Sequence, residues 1–245
     1  MDIKNIVDIY ASTPQAKALT KFLEKKSVTT IFLQGLFASS PSLFFAAIQR
    51  KVKAPMIFIL QDADEAGYFY HDLTQIAGDD NVLFYPSGYR RAVKYGQRDA
   101  ANEILRTETL SRLGSFGRDG RGPKGSLFVV SEPSAIAELV VSKKRLDSRT
   151  LTLKVGQTAD IIDIEKTLRD FGFTQTDYVY EPGQFAVRGS ILDVYSFSSE
   201  LPFRVDFFGN DIDTIRTFEV ESQLSHDKLD AISVVPELAT LTEEK

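Results

Sequence analysis

The stretch GQFAVRGSILDVYSFSSELPFRVDFFGNDIDTIRTFEV, Gly183 to Val220, decides how this chain is read. Within it, Phe203-Arg204-Val205-Asp206-Phe207-Phe208 alternates with the two-residue period of a half-buried strand. Phe203, Val205 and Phe207 share one face, and Arg204, Asp206 and Phe208 share the other. Gly209-Asn210 then marks a tight turn and a return strand. QFAVRG is built similarly, setting Arg188 opposite Phe185 and Val187 and beside Gly189. The stretch predicts an antiparallel sheet. A Phe placed with an Arg on the polar face has two readings. It is a docking hot spot, since aromatics and Arg dominate interface energetics. Or Phe208 is covered by another element and Arg204 pairs with neighbours of Asp206. The pattern leaves both open.

Just upstream, RTLTLKVGQ reads as a polar-faced strand, and Asp160 caps a short helix carrying Ile161, Ile164, Leu168 and Phe171 on one side. Residues 147–228 are thus expected to form a small α+β domain with an antiparallel sheet. The tail, 229–245, reads as one strand followed by polar chain, the start of a truncated return to the first domain.

Residues 1–146 follow another rhythm. The helix TPQAKALTKFLEKK has a Thr cap and Pro at its first position. A buried strand, TTIFLQG, leads to a helix over Pro41 to Lys51, and PMIFIL, VLFYP and LFVVS are further apolar strands. The helices DADEAGYFYHDLTQIAG, 97–113 and PSAIAELVV lie among them. Strands that are apolar throughout and separated by helices predict a doubly wound α/β domain, its parallel sheet covered on both faces.

Composition narrows the function. With 43% hydrophobic and 26% charged residues, the chain has the balance of a globular protein. It has no Cys, which excludes disulfides and thiol chemistry. Its two His residues, His71 and His226, lack metal-ligand spacing. A net charge of −5 argues against general nucleic-acid affinity. The N-terminus lacks a signal-peptide pattern, and a cytoplasmic location is expected. No cofactor is expected.

Three stretches outline possible sites in the α/β half. Gly35-x-x-x-x-Ser40-Pro41-Ser42 has the frame of a phosphate-binding loop. Ser40 stands where a second Gly is needed, and Pro41, lacking both cation and N–H, stands where Lys is needed. Ser42 alone keeps a possible Mg²⁺-binding role. The loop is either a degenerate P-loop kept as a structural turn or an unrelated strand–turn–helix. Asp62, Asp64 and Glu65 read as a metal site or as helix first-turn acids, which suit the positive helix end. Arg90, Arg91, Lys94 and Arg98, interleaved with Tyr89 and Tyr95, are a weak nucleic-acid candidate. The glycine-rich loop 114–126, with Arg118, Arg121 and Lys124, reads as solvated surface.

GQFAVRGSILDVYSF and ELPFRVDFFGNDIDTIRTFEVESQLS resemble the second domain of the excision-repair protein UvrB. They are still more similar to the matching module of the bacterial transcription-repair coupling factor (Mfd) family, and the resemblance covers nearly the whole chain. Between Pro86 and Asp99 there is no room for the long DNA-clamping hairpin of UvrB. The degenerate loop also fits the Mfd family, whose N-terminal module lacks a working ATPase. The resemblance implies a degenerate P-loop (RecA/helicase-like) α/β domain followed by a UvrB domain 2-like domain. It implies docking of UvrA, through Arg188, Arg204 and Phe208, with Asp206 and Gly189 in support. It further implies a longer protein with an RNA-polymerase-binding domain and an ATP-dependent DNA translocase, this chain being a non-catalytic N-terminal fragment. A UvrB-type helicase subunit, and a DNA-binding module using residues 90–98, are the alternatives.

Overall fold

The computed structural model describes residues 2–25, 30–52, 54–89, 99–115 and 127–238. The chain divides into two units: residues 1–88 with 115–138, and residues 89–114 with 139–245.

The first unit opens with helices α1 (Ile3–Ser12), α2 (Pro14–Glu24) and α3 (Ser40–Gln49). Thr13 caps α2 by accepting from Ala16 N–H, with Pro14 at the first position as expected. Ala16 and Leu19 of α2 pack on Phe44 and Ile48 of α3. Next come β1 (Met56–Ile59), α4 (Ala63–Ala77) and β2 (Val82–Tyr85). The strand β3 (Phe128–Ser131) and the short helix α6 (Pro133–Ala137) close this unit; α5 (Ala100–Ser115) lies between β2 and β3 in sequence and, up to Gly114, belongs to the second unit. The three strands form a parallel sheet in the order β1-β3-β2, with Phe128 in register with both Met56 and Val82. On one face, Phe58, Val82, Phe128 and Val130 meet Ala66, Phe69 and Leu73 of α4. On the other, Ile57 and Ile59 of β1 are exposed, so cover on both faces is not complete at this edge.

Two expected elements differ. TTIFLQG is no buried strand: residues 30–34 carry no strand, and Ile31, Phe32 and Leu33 are exposed. A strand needs a ladder partner, and among the described residues the only ladder on β1 is with β3. PSAIAELVV is helical only to Ala137. Glu138 leaves the helix and its carboxylate accepts from Ser87 Oγ at 2.5 Å and Gly88 N–H at 3.1 Å.

The second unit adds α7 (Lys143–Ser148), β4 (Leu151–Lys154) and α8 (Ile161–Asp170). Strands β5 (Thr174–Gln175), β6 (Gln184–Arg188), β7 (Ile191–Val194), β8 (Phe203–Phe208), β9 (Asp211–Phe218), β10 (Ser225–Leu229) and β11 (Ala231–Val234) follow. Six of these strands form one sheet, ordered β10-β9-β8-β7-β6-β5. It is antiparallel except where β5 joins β6 in parallel. β11 pairs antiparallel with β4. Asp160 caps α8 through Ile162 N–H, and Ile164 and Leu168 bury one face of that helix. They pack on Phe185, Leu192, Val194, Phe203, Val205, Phe207, Ile212 and Ile215, joined by Leu153, Ile232 and Val234. The apolar half of each strand alternation is therefore the core.

A candidate docking face on the sheet

The other half of the alternation forms the candidate site. Two hairpins build it. Arg188 pairs with Ile191 and Phe208 with Asp211, leaving two-residue loops at Gly189-Ser190 and Gly209-Asn210. Gly189 and Gly209 both have φ of 62°, the left-handed conformation that such loops demand. Each turn fixes a site residue at the last position of its strand: Arg188 on β6 and Phe208 on β8.

Across the sheet, Ala186, Asp193, Arg204 and Arg216 stand in register on β6 to β9. Asp193 is fully buried and takes three hydrogen bonds. Arg204 donates from Nε to Oδ1 at 2.7 Å and from Nη2 to Oδ2 at 2.9 Å. Arg188 donates from Nη2 to the same Oδ2 at 2.5 Å. Arg204 also lies over the Phe218 ring at 4.5 Å and donates to the Gln223 carbonyl at 3.0 Å. Arg188 lies over the Tyr178 ring at 5.0 Å and donates to the Asp177 carbonyl at 3.0 Å. Its side chain is 35% exposed, that of Arg204 only 15%. The Arg204 guanidinium is held above its usual pKa, first by its hydrogen bonds to Asp193. So Arg204 does not pair with neighbours of Asp206, and neither arginine presents an unoccupied guanidinium fork.

Asp206 instead accepts from Thr214 Oγ1 at 2.8 Å and pairs with Arg216, whose buried Nε has no partner among the described residues. Two aspartates thus face three arginines in this cluster. Beside the ions, Val179, Ala186, Tyr195, Phe218 and Val220 form a small apolar cover.

Phe208 differs from its neighbours. It is 84% exposed, whereas Phe207, one residue earlier, is buried. An extra residue on β9, Asp213, lies between the Asp206–Thr214 and Phe207–Ile212 pairs and makes a bulge there. Arg204 and Phe208 are four residues apart on β8, about 13 Å along the strand.

Asp193 and Arg216 were not singled out from sequence. The signal was present: in Ile191-Leu192-Asp193-Val194, alternation puts Asp193 opposite Leu192 and Val194, on the face of Arg204. Which carboxylate an arginine chooses requires the strand register, which pairs Asp193 with Arg204.

The other candidates fare differently. Gly35 has φ of 90° and Ala38 φ of 49°, so the backbone does turn sharply before α3. Yet Ser40 N–H donates to Phe37 O, Pro41 has no N–H, and Ser40 Oγ accepts from Phe37 N–H at 2.7 Å. Ser42 Oγ is buried and has no hydrogen-bond partner among the described residues, out of reach of a metal in solvent. The Asp62 carboxylate accepts from Asp64 and Glu65 N–H, capping α4. Arg90, Arg91, Lys94 and Arg98, and likewise Arg118, Arg121 and Lys124, lie outside the described residues. Among the described residues no helix is long and apolar enough to cross a membrane.

Residues 151–239 match the UvrB interaction domain. The chain is 28% identical to the transcription-repair-coupling factor of Bacillus subtilis over 87% of its own length, which is 18% of that protein. It is 33% identical to that of Haemophilus influenzae, again over 87% of this chain and 18% of the relative. With the Escherichia coli factor it shares 28% identity over 78% of the chain and 16% of the relative. The chain spans less than a fifth of the length of these relatives.

Proposed function

We propose that this chain, whose residues 151–239 match the UvrB interaction domain and which is similar to transcription-repair-coupling factors, is a non-catalytic module that docks UvrA in transcription-coupled repair. The observation that carries this reading is Phe208, an aromatic side chain 84% exposed at the end of β8, beside a two-residue hairpin turn. A large aromatic held in water costs free energy that a partner's apolar pocket recovers, which is how interface anchors act. Arg188 and Arg204 supply the cationic half of the face. On this reading they meet acidic groups of UvrA while Phe208 enters a pocket.

The degenerate loop Gly35–Ser42 serves this module as a turn into α3. RNA-polymerase binding and ATP-dependent DNA translocation belong, on the same reading, to other parts of a longer bacterial protein acting in the cytoplasm. A pull-down tests the proposal. Immobilised chain retains UvrA, and the Phe208→Ala variant does not. Equal retention by both removes Phe208 from the site.

A further inference from the structure

We propose that Asp193 is the positioning residue of the docking face, acting on a partner only through Arg188 and Arg204. The inference rests on the docking reading and deepens it. Asp193 is fully buried, so a partner cannot reach it. Both guanidiniums nevertheless converge on one of its oxygens, Oδ2, at 2.5 and 2.9 Å. Two cations brought this close repel one another, and the repulsion is stronger where water is partly excluded. The carboxylate between them reverses that sign and holds both planes. The Tyr178 and Phe218 rings and the Asp177 and Gln223 carbonyls complete the two clamps.

The donor inventory then defines what the partner brings. Of its five N–H groups, Arg204 has committed Nε–H and one from each Nη. Arg188 has committed one from each Nη. The remaining N–H groups belong to two cations that share one counter-ion, so the pair keeps one net positive charge. A single partner carboxylate bridging both guanidiniums matches that arrangement better than a fork-to-fork pair with either one.

The test uses the whole 245-residue chain and the near-isosteric Asp193→Asn. Titration calorimetry against UvrA is expected to show at least a tenfold loss of affinity for D193N. In a chain that already carries R188A and R204A, D193N is expected to change affinity less than twofold. Wild-type affinity for D193N overturns the proposal. So does an equal loss with and without the arginines, which marks a merely structural role. A second readout needs no partner: the Arg204 Nε–H resonance of the free chain is expected to be protected from exchange at neutral pH and to lose that protection in D193N. Unchanged protection overturns the proposal. If the wild-type chain does not bind UvrA, the docking reading fails, and the exchange measurement alone decides whether Asp193 holds the arginines.

Discussion

The loop before α3 and the hairpin of β8 and β9 both carry motif outlines, and they differ in what their side chains are free to do. At Gly35–Ser42 the backbone turns sharply, with positive φ at Gly35 and Ala38, but the groups a phosphate loop would use are absent or engaged. Pro41 removes a cation and a donor, Ser40 is used to tie the loop, and Ser42 Oγ is buried. On the hairpin, the arginines are paired internally while the large apolar side chain left exposed is an aromatic, Phe208. A motif's outline is set by backbone geometry, whereas function depends on which groups remain unspent after folding.

The largest expected effect sharpens the contrast inside the hairpin itself. Arg204→Ala leaves the buried Asp193 with Arg188 as its remaining ion-pair partner and is expected to cost about 3 kcal/mol of folding stability, read by urea unfolding. Lost UvrA binding in that variant therefore mixes stability with contact. Phe208→Ala is the opposite case: it is expected to lower UvrA affinity by about 2 kcal/mol, roughly thirtyfold, with an unchanged melting curve. A melting temperature that falls with F208A breaks the contrast. Arg188→Ala, at a more exposed guanidinium, is expected to cost about 1 kcal/mol of stability or less while weakening UvrA binding.

Much of the second unit was legible because alternation is strict from Phe203 to Phe207 and the Gly209-Asn210 turn is unambiguous. Helix starts were equally legible at Thr13 and Asp160, where a side-chain oxygen meets a free N–H. The failures have a common cause. Apolar runs such as TTIFLQG and ELVV name no partner, and without one they do not complete a strand or a helix. The same limit hid the role of Asp193. Alternation assigns it to a face, but only the register of β7 against β8 brings it to Arg204.

The smallest expected effect lies at the loop. Pro41→Lys restores the missing cation of the motif, yet Mg·ATP is expected to remain unbound at micromolar concentration in calorimetry, because Ser42 Oγ stays buried and Ser40 N–H stays engaged. Micromolar binding by that variant would show that the loop stood one residue from a working site, erasing the difference between the two regions.

The most direct measurement is calorimetric titration of UvrA into the wild-type chain, R188A and F208A at one salt concentration, with thermal melts of each. The account predicts saturable binding by the wild type and weak binding by both variants, with F208A melting as the wild type does. Equal affinity across the three chains would contradict it.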